Sequence, residues 1–90
     1  MLPKEKNLIY PAQIVFCTDD NVFSIRFPNF PEIISDSETL EEAKLNAKEA
    51  LSLYLDSLAD DNVAFPEPVQ IKDENIFYIE AELGNSTYTK

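Results

Sequence analysis

Carboxylates are the commonest reactive groups in this sequence, with 17 Asp and Glu against 7 Lys and Arg. Clustered carboxylates can hold a divalent cation and support magnesium-dependent phosphoryl chemistry, provided that they converge from fixed strand and helix positions. Asp19, Asp20, Asp36, Glu41 and Glu42 are the residues to weigh for it. Asp19 and Asp20 fall in a turn, while Glu41 and Glu42 fall in the first turn of a helix, where acidic groups complement the helix dipole. No metal ligand is assigned, and a magnesium-dependent, nuclease-like enzyme stands only as an alternative. Histidine is absent, which removes every imidazole triad and the usual zinc sites. Cys17 is the one thiol. It excludes an intramolecular disulfide framework and suits a reducing, cytoplasmic setting. With no imidazole, no neighbouring lysine and no helix N-terminus before it, Cys17 reads as a plain strand thiol. No catalytic residue and no cofactor are assigned, and the chain is expected not to be an enzyme.

Binding is the other chemistry available. A formal charge of −10 opposes any phosphate-tracking surface, since nucleic-acid binders draw their non-specific affinity from cationic side chains. The same charge would steer a basic protein partner toward the chain. Phe27-Pro28-Asn29-Phe30-Pro31 is stiff and apolar where a connection is ordinarily polar. It either folds over a sheet end or presents a binding ridge. Tyr10, Tyr54 and Tyr78 have apolar bodies with polar tips, fit for an interface or for a core edge. Arg26 is placed for a salt bridge or for a partner.

These residues need elements to position them. Leu8 to Cys17 alternates as a first strand, with Pro11 implying an edge position or pairing that begins after it. Asp19-Asp20-Asn21 closes a hairpin without glycine. Val22 to Phe27 is a second strand whose Phe23, Ile25 and Phe27 face a helix, and Ile33 to Ser35 a short third. Thr39 as N-cap with Glu42 at N3 opens a helix from Leu40 to about Leu58, free of glycine and proline. Its predicted buried stripe is Leu40, Ala43, Ala47, Ala50, Leu51, Tyr54 and Leu58, the alanines letting the axis approach a sheet closely. Leu45, Leu53 and Leu55 fall off that stripe. Val63 to Pro68 is extended and proline-stiffened, Val69 to Ile71 is a candidate fourth strand, and Asn75 to Leu83 a fifth.

Ninety residues are room for a single domain, here 1–90. The order β-β-β-α-β(-β) predicts an α+β, two-layer sandwich of a small antiparallel-rich sheet under one helix. The face carrying Ile9, Val15, Cys17 and Val22 is apolar enough to predict a homodimer or higher homo-oligomer, formed through that face or through an edge strand. No stretch approaches the apolar length of a membrane span, and no membrane partner is expected.

Phe27-Pro28-Asn29-Phe30-Pro31, Ile33-Ile34-Ser35-Asp36-Ser37, Thr39-Leu40-Glu41-Glu42-Ala43, Asn46-Ala47, Glu49-Ala50-Leu51, Tyr54-Leu55 and Phe65-Pro66-Glu67-Pro68 occur in an order that resembles the HicB-like antitoxins. The resemblance covers about residues 8–71. It implies a partial ribonuclease H-like fold without that enzyme's catalytic carboxylates. It also implies a basic HicA-type toxin ribonuclease as partner, silenced by steric occlusion of its RNA-binding face. Many members of the family repress their own operon through a C-terminal DNA-binding segment. The 22 residues that follow Pro68 leave no room for one, so direct nucleic-acid binding by this chain alone is not expected. Glu32 replaces the glycine usual in the family, so the backbone there should avoid positive φ. The expected partner-binding residues are Phe27, Asn29, Phe30, Glu32, Glu41, Leu45, Glu49 and Leu53. The alternative to toxin neutralisation is a stand-alone oligomeric regulatory or structural module.

Overall fold

A computed structural model of the chain describes residues 8–82. Three strands, β1 (Ile9–Cys17), β2 (Val22–Phe27) and β3 (Phe30–Ser37), are followed by one helix, α1 (Leu40–Asp60), and a last strand, β4 (Ile76–Glu80). They form an antiparallel sheet in the order β3-β2-β1-β4, with α1 covering one face. This is the α+β two-layer sandwich that the hydrophobic pattern predicts. β4 pairs with β1 of its own chain, which answers for its described part where that strand lies. Leu83, the end of the expected last strand, lies outside the described residues.

Pro11 explains the arrangement of β1. Pairing with β2 covers Gln13 to Cys17, and pairing with β4 covers Ile9 to Gln13. The residue without an N–H therefore stands where only one neighbour strand runs, so no ladder bond to β2 is missing. Between β1 and β2 the turn closes through the Asn21 amide, which donates to the Cys17 carbonyl at 2.8 Å. Asn21 adopts φ 59°, a left-handed conformation that Asn tolerates better than most residues.

The connection between β2 and β3 is tighter than the sequence suggests. Pro28 and Asn29 alone make the turn, and Phe30 and Pro31 already belong to β3. Arg26 pairs with Ile34 but Phe27 pairs with Phe30, so Pro31, Glu32 and Ile33 leave the regular register as a bulge. Phe27 and Phe30 thus reach the same face and enter the core. Glu32 does not take positive φ. The bulge meets the geometry without a glycine.

Helix α1 starts where its cap signal lies. The Glu42 amide donates to the Thr39 hydroxyl at 3.1 Å, with Glu41 and Glu42 in the first turn. It stops on an unforeseen device. Asn62 takes φ 60°, its amide donates to the Ala59 carbonyl, and the Val63 amide donates to the Leu58 carbonyl at 2.8 Å. That is a Schellman motif with asparagine in glycine's place.

The core lies between α1 and the sheet. Ala43, Ala47, Leu51 and Leu55 are buried from the helix, against Tyr10, Ala12, Ile14, Ile25, Phe27, Phe30, Ile33 and Ile79. Leu55 corrects the expected stripe. It continues the four-residue column of Ala43, Ala47 and Leu51, whereas Leu40, Ala50, Tyr54 and Leu58 flank that column half-buried. Full burial of Leu51 and Leu55 is worth roughly 2 kcal/mol each.

Between α1 and β4 the chain runs without regular structure, so Val69 to Ile71 is not a strand. Asn29 clamps it instead. Its Nδ2 donates to the Glu67 carbonyl at 2.9 Å and its Oδ1 accepts from the Val69 amide at 3.0 Å. The Tyr10 hydroxyl donates to the Pro66 carbonyl at 2.6 Å. Further along, the Tyr78 hydroxyl approaches the Ile71 carbonyl at 3.4 Å. This strap brings the chain back far enough for β4 to run antiparallel to β1.

Candidate functional site

Four of the expected binding residues share one exposed column. Glu41, Leu45, Glu49 and Leu53 recur at four-residue spacing along α1, on the side away from the buried column of Ala43, Ala47, Leu51 and Leu55. Leu45 and Leu53 are each 67% exposed, and both acidic groups are exposed as well. Each step of the column is about 6 Å along the axis. Carboxylate and isobutyl groups therefore alternate over about 18 Å of rigid helix.

A shallow groove of about 560 Å³ runs beside the column, lined by Leu45, Asn46, Lys48, Glu49, Ser52 and Glu82. Its far wall is the chain leaving β4. The Glu82 amide donates to the Ser52 hydroxyl at 2.9 Å, and Lys48 Nζ lies 3.0 Å from a Glu82 carboxylate oxygen. Lys44 is engaged as well, its ammonium lying 4.9 Å from the centre of the Phe77 ring. The two lysines on this flank are thus committed to contacts within the chain. Glu41 and Glu49 have no ion-pair partner among the described residues.

The remaining expected residues lie elsewhere. Phe27 and Phe30 are 1% and 3% exposed, with the Phe30 ring against Tyr10 and Tyr54 at centroid distances of 4.9 and 5.0 Å. They do not form an exposed ridge. Burying two phenyl rings outweighs displaying them, and the three-residue bulge supplies the rotation that makes it possible. Asn29 spends its amide on the strap. Glu32 is exposed at the open edge of β3, beside the Tyr54 hydroxyl. Burial raises the Tyr54 pKa above 10.0, and the hydrogen bond and negative charge of Glu32 raise it further. Burial likewise raises Tyr10, with Glu67 adding to it.

No group of three His, Cys, Asp or Glu side chains among the described residues could hold a metal ion. Arg26 is exposed and makes no salt bridge among the described residues. Ile34 escaped the sequence reading. It is 67% exposed on β3 opposite Arg26, on the sheet face turned away from α1. Its strand parity could have shown this, had the bulge that sets the parity been visible in the sequence. No described helix is long and apolar enough to cross a membrane.

Comparison with known proteins places the sequence among relatives. A family model for the HicB-like antitoxin of bacterial toxin–antitoxin systems matches residues 9–79. An uncharacterized 14.9 kDa protein from the rep-hol intergenic region of Haemophilus phage HP1 is 37% identical over 60 residues, covering 67% of this chain and 44% of that protein. Antitoxin HicB 2 of Photorhabdus laumondii is 33% identical over 63 residues, covering 70% of this chain and 44% of that protein. The chain spans less than half the length of these curated relatives.

Proposed function

The chain belongs to the HicB-like antitoxin family, and from that premise we propose that it neutralises a cognate HicA-type toxin by covering the toxin's basic RNA-binding face. The observation that carries this reading is the exposed column Glu41–Leu45–Glu49–Leu53. Two leucines left in water on a helix whose other side is packed are apolar anchors without a covering element among the described residues. Carboxylates placed between them would meet Lys or Arg on the toxin, and the formal charge of −10 would speed the encounter. Glu32 would add a contact at the neighbouring edge.

Occlusion needs no chemistry from the antitoxin. A surface that phosphates must reach is filled by carboxylates and leucines, and cleavage stops because RNA cannot dock. The test mixes the purified chain with a candidate basic protein encoded beside it and follows RNA cleavage. Cleavage should fall as a stable complex forms, and the double substitution Leu45→Asp with Leu53→Asp should restore it. Undiminished cleavage with no complex would overturn the assignment. Full inhibition by the double variant would move the contact away from the helix.

A further inference from the structure

We propose that the open edge of β3 is a second docking surface, built to accept an extended segment of a basic protein as an added strand. β3 is the outermost strand on its side, pairing only with β2 among the described residues. An unpaired edge offers a row of backbone donors and acceptors to any strand that fits it. Most such edges in natural proteins are guarded, commonly by lysine, proline or a bulge. Here Pro31 and the bulge at residues 31–33 guard one end only, and Ile34 to Ser37 remain in regular register with β2.

That stretch is held firmly. Ser37 is buried and its hydroxyl accepts from the Asn46 amide of α1, while Phe30 and Ile33 are fixed in the core. A rigid edge loses little entropy when a strand joins it. Its exposed side chains then decide what joins. Ile34 is 67% exposed, and the charged groups on its own strand and just beyond it, Glu32, Asp36 and Glu38, are exposed and acidic, while Arg26 of β2 stands opposite Ile34 on the side away from the open edge. In a chain of charge −10 these guards repel a second copy of the same edge. They do not repel a cationic strand. The complementary ligand carries an apolar side chain opposite Ile34, a cationic side chain two residues away facing Asp36, and a second one reaching toward Glu32 at the bulged end. The surface stands apart from the α1 column, sharing only Glu32 with the proposed toxin contact, and does not require the toxin assignment to hold.

The test uses the isotope-labelled full chain and short synthetic peptides, followed through backbone amide resonances. The probe is Lys-Thr-Val-Thr-Lys, with three controls: the same residues reordered as Lys-Lys-Thr-Thr-Val, the probe N-methylated on alternate amides, and Glu-Thr-Val-Thr-Glu. The probe should shift the amides of residues 34–37 saturably and bind at least about fivefold more tightly than any control. Charge reversal by Glu32→Lys with Asp36→Lys, both at exposed positions, should transfer the preference to the glutamate peptide. The variant Leu45→Asp with Leu53→Asp should bind the probe unchanged, which keeps this result distinct from the toxin contact. Shifts centred on residues 41–53, or equal binding of the reordered or N-methylated peptide, would overturn the proposal. So would broadening of residues 34–37 that depends on protein concentration alone, because a second copy would then hold the edge.

Discussion

Tyr10 shows how one side chain can serve two parts of the fold. Its ring is buried against Phe30, and its hydroxyl fixes the strap by donating to the Pro66 carbonyl. Replacing it by phenylalanine keeps the ring and removes the bond. We expect a loss of about 1 kcal/mol in denaturant unfolding at neutral pH. The pH dependence follows from the direction of its shift. Burial first, and Glu67 second, raise the phenol above 10.0, so the folded state holds the proton more tightly than the unfolded chain. That contribution is complete below pH 10.0 and is lost as pH rises through the higher folded value. Tyr10→Phe should therefore flatten the alkaline fall in melting temperature, while Tyr54, also raised, keeps part of it. Asn62 is the second sensitive position. Alanine at φ 60° strains the backbone and weakens the Schellman closure, so Asn62→Ala should cost about 1–2 kcal/mol by the same unfolding measurement.

Helix α1 has two sides that look alike in composition and differ in consequence. Ala47 is fully buried beneath the axis, where a larger side chain has nowhere to go. Ala47→Leu should destabilise by about 1–3 kcal/mol through overpacking, read as a lower denaturation midpoint. Leu45→Ala, on the exposed column, should stay within about 0.5 kcal/mol of the parent. The element boundaries show what was legible beforehand. Thr39, Glu42 and the run of strong helix formers announce α1, and alternation announces β1 and β2, because these signals are local. Leu55 falls off the stripe expected from spacing, yet the buried column follows every fourth residue for three full steps, from Ala43 to Leu55. The sequence alone shows β3 only from Ile33 to Ser35 and leaves a surface role open to Phe27 and Phe30, because the bulge depends on pairing with β2. The Asn29 clamp was invisible for the same reason: its partners lie 38 and 40 residues away. Of the expected binding residues, the exposure of Glu41, Leu45, Glu49 and Leu53 was legible from helical spacing alone, and the burial of Phe27 and Phe30 was not.

At the scale of the molecule, charge and shape act on different quantities. Ten excess negative charges set a long-range field, whereas Leu45 and Leu53 act only on contact. Among the described residues Lys48 is paired with Glu82 and Lys44 lies over Phe77, so the cations near the column offset little of that field at its open side. For a basic partner the field governs how often the two meet, and the leucines govern how long they stay. Ionic strength separates the two. Raising salt from about 0.01 M to 0.15 M shortens the screening length from about 30 Å to about 8 Å, so steering fades while close contacts persist. The association rate with the proposed toxin partner, measured by stopped flow, should fall by at least about tenfold over that range, with the dissociation rate changing much less. Leu45→Asp with Leu53→Asp should do the reverse, leaving association as fast or faster and making dissociation at least about tenfold quicker. A dissociation rate that tracks salt as steeply as the association rate would mean that the carboxylates hold the complex, with the column's leucines incidental to it.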